Sequence, residues 1–452
     1  MMTDGAAPEK KKIGYVALSL VVILAVFFGL CSLTKLFFND DIKSYTRLMM
    51  HDFYNVDNID ILLIGASHSY RGVDVDIISE ARGGKTVMNA SSAKQYPDTS
   101  LALAKEALKL YDVEEVYMEL SHSIAMETGV YKERESMVST YIITDYMKPS
   151  MNKLKLLLNA SSPEHYMNSV FIGRRGLYSV DLFNFPYLRE IITKKLSPIY
   201  RNCEHDYAAS DTSWYVKNGY VVTTDRLEEH AFYTKDGWEP YDFSLISEDW
   251  KNSLLELIQL CKENDVKLTF YCSPVSDFIL AAEGNYDEYI DFVNELIEGT
   301  GVEFVDFNLL SNAYYPYTAT HYKDIDHLNK WGAEAFSRVF AAYMNGEIPD
   351  DVWHESTAER IAEFEPDFYG ISYHVETDEF GIKMRTIRLI SNKPDDIEYE
   401  LVMTQSEGNS YTIQSWSNNN ELSMYATEHG TLTVYFRDIN NPENVHSVNI
   451  EI

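Results

Sequence analysis

Cysteine is scarce in this sequence, and its spacing fits neither a metal site nor a disulfide framework. The 452 residues contain four cysteines. Cys31, Cys203, Cys261 and Cys272 are scattered, without the paired spacing of a zinc site or the density of a disulfide-rich domain. We therefore expect core thiols. A disulfide between Cys261 and Cys272 is the less favoured alternative, because a helix end would have to meet a strand.

Positive charge is also in short supply. Lys and Arg number 38 against 70 Asp and Glu, which gives a formal net charge of −32. Nucleic-acid binding depends on clustered Lys and Arg that neutralise phosphates, and the sequence does not offer them. Nucleic acid is therefore excluded as a partner, and a broad surface for anionic lipid is disfavoured. No acidic run is long enough for a disordered tail, so the negative charge is expected on a folded surface.

Long uncharged stretches are missing except at the amino end. Residues 13–33 are apolar, about long enough to span a bilayer as a helix, and follow Lys10, Lys11 and Lys12. Because lysines stay on the cytoplasmic side, this order predicts a cytoplasmic tail at 1–12, a single anchor at 13–33 and an extracellular remainder. No Ala-x-Ala-like site is present, so a retained anchor is favoured over a cleaved signal.

The rest of the chain divides into parts that differ in their pattern of predicted strands and helices. Strand and helix patterns alternate from residue 58 to 121 and again from 247 to 345, which is the signature of βαβ units and a parallel sheet of about five strands. Short alternating stretches from residue 368 onward indicate a β-sandwich of six or seven strands, which could bind glycan or serve as a spacer or interaction module. The predicted parts are a neck at 34–57, an α/β domain at 58–345 with an insertion at 122–245, a linker at 346–367 and a β-sandwich at 368–452.

The insertion is rich in aromatic residues and carries two turn signals, Asn218-Gly219 and Asp236-Gly237, each of which predicts a hairpin. We expect the insertion to cover the active edge of the sheet. Its aromatic residues could stack on sugar rings, but packing onto the domain is favoured for each of them. For its arginines, contact with an anionic substrate group is likewise less favoured than solvation. The residues in question are Trp214, Tyr220, Tyr233, Trp238, Arg174 and Arg175.

The first strand of the α/β pattern carries the candidate nucleophile. Residues 59–64 form an unbroken apolar run that ends in Gly65-Ala66-Ser67, as is typical of a strand buried on both faces. Ligands bind at the carboxyl ends of the strands in open α/β sheets, and glycine permits a close approach. Ser67 is therefore the candidate nucleophile. The alternative is a serine that only caps the next helix.

A base for Ser67 is found just before the last helix of the α/β pattern. A serine nucleophile usually needs a histidine, whose tautomer a carboxylate commonly fixes. His327 supplies the base and Asp324 the carboxylate, with Asp326 as the alternative carboxylate. A metal site formed by these three residues and His321 is disfavoured, because the segment offers too few ligands.

At these residues the sequence resembles the SGNH (GDSL-like) hydrolases and acyltransferases. It resembles most their membrane-anchored branch that acylates extracellular polymers, which includes the alginate-acetylation and teichoic-acid D-alanylation proteins. The resemblance implies a three-layer α/β/α sandwich and an esterase or O-acyltransferase that works through an acyl-serine without metal or cofactor. The matching segments are Gly65-Ala66-Ser67-His68-Ser69, Val87-Met88-Asn89-Ala90-Ser91-Ser92 and Asp324-Ile325-Asp326-His327-Leu328-Asn329.

The oxyanion hole departs from the family pattern, which uses a glycine and an asparagine. Ser91 and Ser92 stand near the expected glycine, and residues 119–123 replace the expected Gly-x-Asn-Asp after the third strand. We therefore expect backbone N–H groups of Ser67 and of the Ser91 and Ser92 region to hold the oxyanion, helped by the Asn89 side chain. Residues 272–275 end the fourth strand at the same edge and are expected to shape the pocket wall.

The resemblance and the anchor together predict transfer of an acetyl or similar group to a cell-surface polysaccharide, with a multi-spanning membrane acyltransferase as donor. No residue decides between this transfer and ester hydrolysis. The alternative from another class is a non-catalytic glycan-binding or assembly subunit. The enzyme hypothesis fails if the Ser67 hydroxyl and the His327 ring nitrogen are not within hydrogen-bond reach.

Overall fold

The computed structural model describes residues 7–38, 41–126, 138–171, 184–204, 210–227, 233–236, 242–377 and 380–452. Arg174, Arg175 and Trp238 lie outside these residues. The helices are α1 Ala7–Phe38, α2 Tyr45–Phe53, α3 Ser67–Gly72, α4 Val75–Ala81, α5 Pro97–Leu110, α6 His122–Met126, α7 Val138–Thr144, α8 Met151–Ala160, α9 Phe185–Leu196, α10 Pro198–Arg201, α11 Glu248–Glu263, α12 Asp277–Glu283, α13 Tyr286–Ile297, α14 Lys330–Met344 and α15 Thr357–Ile361. The strands are β1 Ile61–Ile64, β2 Val87–Asn89, β3 Glu115–Glu119, β4 Ser213–Lys217, β5 Tyr220–Thr223, β6 Tyr233–Asp236, β7 Lys267–Cys272, β8 Glu303–Asp306, β9 Phe368–Thr377, β10 Lys383–Ser391, β11 Ile397–Gln405, β12 Ser410–Ser417, β13 Glu421–Tyr425, β14 Gly430–Asp438 and β15 His446–Glu451.

A parallel sheet of five strands lies at the centre of the α/β part, in the order β2-β1-β3-β7-β8, as predicted. Leu62 and Ile64 face an apolar core that contains residues of α5, α11 and α13. Ile61 and Leu63 face a second core that contains residues of α4 and α14. Because successive side chains of a strand point to opposite faces, helices on both faces explain the unbroken apolar run of β1.

The hairpin predicted at Asn218-Gly219 joins β4 and β5 and docks on the edge strand β2. The N–H of Asn89 donates to the carbonyl oxygen of Asn218 at 2.8 Å. A Cβ on Gly219, whose φ is +91°, would lie 1.7 Å from the Asn89 carbonyl oxygen, so only glycine fits. Tyr220 is buried in the core beside β1 and is unavailable for sugar stacking, whereas Trp214 remains 37% exposed.

The chain that follows β5 reaches the loop that precedes α14. The N–H of Leu227 donates to the carbonyl oxygen of Tyr322 at 3.0 Å. The guanidinium of Arg226 lies 3.3 Å from the centre of the Trp331 ring at the start of α14. This part of the insertion therefore contacts both flanks of the segment that carries His327.

The second turn signal, Asp236-Gly237, leads to a different pairing from the predicted hairpin. Strand β6 does form, but it pairs in parallel with β9, with Tyr233 opposite Gly370. It thereby becomes an edge of the mixed sheet β13-β10-β9-β6, which packs on an antiparallel sheet, β12-β11-β14-β15. Side chains from both sheets, such as Leu389 and Val434, form one apolar core.

Residues 346–367 are more ordered than a solvated linker. Helix α15 lies in this segment, and its Arg360 is fully buried. The guanidinium pairs with Asp277 of α12, and its Nε donates to the carbonyl oxygen of Asn308 at 3.0 Å. The guanidinium also lies 3.9 Å from the centre of the Tyr317 ring. One side chain thus ties the segment to the α/β part.

Helix α1 contains the predicted membrane anchor. The stretch Ile13–Cys31 has a mean hydropathy of 2.6, and its residues are exposed as far as residue 30, whereas Cys31 is buried. The helix is therefore long and apolar enough to cross a membrane.

All four cysteines lie in the described part of the chain, and none of them forms a disulfide. Cys261 and Cys272 are buried and form no disulfide, so the alternative bond between them is wrong and they are core thiols as expected. Cys203 is half-buried.

The buried carboxyl group of Asp306, at the end of β8, makes the free energy of unfolding depend on pH. Burial raises its pKa to about 6, although its Oδ1 accepts hydrogen bonds from the N and Nδ2 of Asn308, both at 2.8 Å. An unfolded Asp titrates at about 3.9, so between these values the folded state binds more protons and the free energy of unfolding falls as pH rises. From pH 5 to 7 we expect a fall about 1 kcal/mol larger than in Asp306→Asn, measured by urea unfolding. Identical pH dependence in both chains would contradict this.

Candidate active site

Ser67 lies at the carboxyl end of β1, as the first residue of α3. Ala66 is the N-cap residue, so Ser67 does not have the capping role that was its alternative. Gly65 has a φ of +152°, and a Cβ there would lie 2.6 Å from the Cβ of Glu119 on β3. Glycine therefore lets the chain pass close to β3 and turn at once into α3.

His327 and Asp324 complete a hydrogen-bonded chain with Ser67. The Nε2 of His327 lies 2.8 Å from the Oγ of Ser67, and its Nδ1 lies 2.8 Å from the Oδ1 of Asp324. Because a carboxylate only accepts, Nδ1 carries the proton and Nε2 can accept the serine proton. The carboxylate bonded to His327 is that of Asp324 and not that of Asp326, the alternative.

The carboxylate of Asp324 is held ionised. Burial alone would raise its pKa, but the hydrogen bond and the charge of His327, the N–H of Asp326 and the ammonium of Lys323 hold it well below its usual range. The N–H of Asp326 lies 3.0 Å from Oδ1, and the Nζ of Lys323 lies 3.1 Å from Oδ2. Asp324 can therefore orient the imidazole and stabilise it when it is protonated.

Asn329 fixes the end of the loop that carries His327. Its Oδ1 accepts from the N–H groups of Trp331 and Gly332, at 3.0 and 3.1 Å, and so caps α14. Its Nδ2 donates to the carbonyl oxygens of Thr320 and Tyr322. The amide is fully buried, so the loop is tied to the helix from both sides.

Asn89, expected to help hold the oxyanion, is bonded to α3 through both ends of its side-chain amide. Its Oδ1 accepts from the Oγ of Ser69 and its Nδ2 donates to the carbonyl oxygen of Ser69, both at 3.0 Å. Ser69 also accepts from the hydroxyl of Tyr271 at 3.2 Å. The structure thus gives Asn89 the task of positioning α3, which sequence spacing alone could not distinguish from an oxyanion role.

Ser91 and Ser92 follow β2 beside the end of β1. The N–H of Ser92 donates to the carbonyl oxygen of Gly65 at 3.3 Å, and its Oγ donates to Gln95 at 2.9 Å, so Ser92 is occupied. The Oγ of Ser91 is buried and has no hydrogen-bond partner among the residues described. Of the two hydroxyls, that of Ser91 is therefore the one without a partner among the described residues.

His68 and Glu119 are functional candidates that the sequence analysis did not single out. The His68 ring stacks on the His327 ring, with centroids 4.9 Å apart and planes 9° apart. Glu119 is buried beneath it, and its Oε2 accepts from the N–H of Ala66 at 3.2 Å. The available signals were the position of His68 next to Ser67 and the glutamate that opens the block in place of Gly-x-Asn-Asp.

A pocket of about 230 Å³ opens beside these two residues. Cys272, Ser273 and Val275 form part of its wall, as expected for residues 272–275. The other lining residues are His68, Glu119, Ser121, His122, Ser123, Ile279, Tyr286, Ile325 and Asp326.

The alternative metal site is not assembled in the described part of the chain. No three His, Cys, Asp or Glu side chains there converge on a position that could hold an ion. The side chain of His321 contacts Thr318 and not His327. Its Nδ1 lies 2.7 Å from the Oγ1 of Thr318. Both ring nitrogens of His327 are engaged by Ser67 and Asp324.

Comparison of the sequence with protein-family models and with curated proteins gives no match. Solved structures similar to this chain include a protein assigned as a platelet activating factor from Streptococcus pneumonia, at 13% identity and a TM-score of 0.31, over 73% of this chain and 99% of that one. They also include an assigned acylhydrolase from Bacteroides fragilis (9%, TM-score 0.31, 66% and 94% covered) and a GDSL-like lipase from Bacteroides thetaiotaomicron (7%, TM-score 0.30, 68% and 100% covered).

Proposed function

We propose that this chain is a membrane-anchored serine enzyme of SGNH type that hydrolyses or transfers ester-linked acyl groups. The observation that carries the proposal is the continuous chain Asp324–His327–Ser67, with both contacts of the imidazole at 2.8 Å. This meets the geometric condition set for an enzyme and favours it over a non-catalytic subunit. The five-stranded parallel sheet, with Ser67 after its first strand and His327 before its last helix, supports the same proposal.

In the proposed reaction the Nε2 of His327 takes the proton of the Ser67 hydroxyl as Oγ attacks the carbonyl carbon of an ester. The ester alcohol leaves with that proton and Ser67 is left acylated. Water or an acceptor hydroxyl then attacks the acyl carbon, His327 takes its proton, and the bond to Ser67 Oγ breaks as His327 returns the proton to Oγ. Asp324 holds the ring in the tautomer that both halves of the reaction require.

The backbone N–H of Ser67 and the hydroxyl or N–H of Ser91 are the proposed oxyanion donors. The N–H of Ser67 lies in the first turn of α3, where helical N–H groups have no acceptor within the helix. The buried Oγ of Ser91 has no partner in the described residues. Ser92 and Asn89 are left out of this role because their groups are bonded to Gln95, Gly65 and Ser69.

We also propose an extracytoplasmic site and an acceptor on a cell-surface polysaccharide. The three lysines before the apolar helix support a cytoplasmic amino end and a catalytic part outside. An activated acyl group would then have to be delivered across the membrane, which is why a multi-spanning membrane acyltransferase is the proposed partner.

An active-site serine probe tests the proposal. We expect a fluorophosphonate to form a covalent bond to the Oγ of Ser67 in the purified full-length chain in detergent micelles, with loss of fluoride. Peptide mass spectrometry would locate the label. Labelling requires an activated hydroxyl, so His327→Ala should abolish it.

The matched control is Ser253→Ala, which removes the hydroxyl of a half-buried serine of α11 and should leave labelling unchanged. Absence of label in the native chain, or equal labelling of His327→Ala, would reject the acyl-serine mechanism.

A further inference from the structure

The pocket beside the triad contains a buried histidine that the proposed mechanism does not use. His68 is 6% exposed, and neither of its ring nitrogens has a hydrogen-bond partner among the residues described. Buried polar groups of folded proteins are rarely left without a partner. Since the side chain lines the pocket, a ligand in the pocket can supply that partner.

Glu119 supplies a second buried polar group at the same wall. Its Oε1 is 4.0 Å from the Nδ1 of His68, which is too far for a hydrogen bond. Burial raises the pKa of Glu119 and lowers that of His68, so both are driven towards their neutral forms. The pair therefore offers donors and acceptors to a ligand without already satisfying them internally.

The charge and size of the pocket restrict the ligand. Among the described residues that line it, Asp326 is acidic and none is a Lys or Arg, so an anionic group would be repelled. The hydroxyls of Ser121 and Ser123, 2.9 Å apart, add polar groups to the wall. About 230 Å³ lies below the roughly 300–1,000 Å³ of pockets for drug-sized ligands and suits a small polyol or single sugar unit.

We propose that this pocket binds a neutral, hydroxyl-bearing unit of the acyl acceptor, and that His68 and Glu119 are its specificity-determining residues. The proposal rests on the proposed function of Ser67. The His68 ring is stacked on the His327 ring, so the wall of the pocket that His68 forms adjoins the base that must take the proton of the alcohol. In the transfer step the alcohol oxygen bonds to the acyl carbon, the bond to Ser67 Oγ breaks, and the proton passes through His327 to Oγ.

The proposal is tested by measuring how the acyl-enzyme divides its acetyl group between water and added alcohols. The full-length chain in detergent micelles is supplied with nitrophenyl acetate and with glycerol, methyl glucoside, propan-1-ol or glycerol phosphate, and acetyl esters and acetate are quantified by mass spectrometry. We expect glycerol or methyl glucoside to intercept the acyl group saturably and at least about tenfold better than the other two, because propan-1-ol lacks the additional hydroxyls that the pocket would bind and the phosphate group of glycerol phosphate would be repelled by the acidic side chain of Asp326.

Variants assign the effect to the pocket. His68→Gln and Glu119→Gln should each lower the ratio of acetyl ester to acetate by about tenfold. Losses of catalysis or of folded protein reduce both products and cancel in this ratio. Glu80→Gln, an exposed glutamate of α4, is the matched control and should keep the native ratio.

The proposal is overturned if neither polyol is preferred over propan-1-ol, or if both pocket variants keep the native ratio. Release of nitrophenol that depends on Ser67 but shows no acceptor preference removes the pocket proposal alone. Absence of Ser67-dependent release removes the proposed function and, with it, this pocket role.

Discussion

Asp324→Asn is expected to lower kcat on a short-chain ester by about 10³- to 10⁴-fold, because an amide can hold the imidazole in the wrong tautomer. The Nδ1 of His327 would then accept from the asparagine and Nε2 would carry the proton, so it could not take the proton of Ser67. The measurement is the rate of nitrophenol release from nitrophenyl acetate by the full-length chain in detergent micelles.

Asp326→Asn is the matched comparison, since Asp326 is two residues away and its carboxylate is not the one bonded to His327. We expect it to change kcat by less than about tenfold. A larger loss in Asp326→Asn than in Asp324→Asn would show that the carboxylates had been assigned the wrong way round. Unchanged unfolding of both variants in urea would confirm that the comparison reports on chemistry.

Arg360→Met is expected to lower the free energy of unfolding by about 3–5 kcal/mol, the usual cost of leaving one partner of a buried ion pair without the other. Arg360 is fully buried and pairs with Asp277, itself 9% exposed. Removing the guanidinium also frees the carbonyl oxygen of Asn308 and the face of Tyr317. Urea unfolding followed by tryptophan fluorescence measures the change.

Arg388→Met provides the control for an exposed pair. Its Nε lies 3.4 Å from Oε1 of Glu421, and both side chains are at least a third exposed. Exposed pairs contribute about 0–1 kcal/mol, so this change should be small. If Arg360→Met and Arg388→Met proved equally mild, the buried pair would not be the tie between α15 and α12 described above.

The sequence predicted the positions of Ser67, Asp324 and His327 because each follows from a pattern of neighbouring residues. An apolar strand that ends in Gly65-Ala66-Ser67 leaves the serine at the carboxyl end of a parallel sheet. Asp324 and His327 lie close together in one loop before a capped helix. Topology then accounts for their meeting, because the carboxyl ends of parallel strands share one edge.

The roles that sequence reasoning missed depend on contacts between distant segments. Asn89 bonds to Ser69, and whether an amide faces the substrate or a neighbouring helix is decided by packing. His68 and Glu119 come together because Gly65 brings the chain close against β3. The partner of β6 could not be identified either, since strand patterns specify a face but not a neighbour.

The pairing of β6 with β9 affects the order in which the chain folds and the behaviour of an isolated C-terminal fragment. The residues of β6 leave the ribosome long before those of β9. Because the two strands are distant in sequence, we expect their parallel pairing to form late in folding. A fragment that begins at residue 368 would expose the backbone N–H and C=O groups of β9 along that edge. Bare edges invite pairing with other chains, so such a fragment would be prone to self-association.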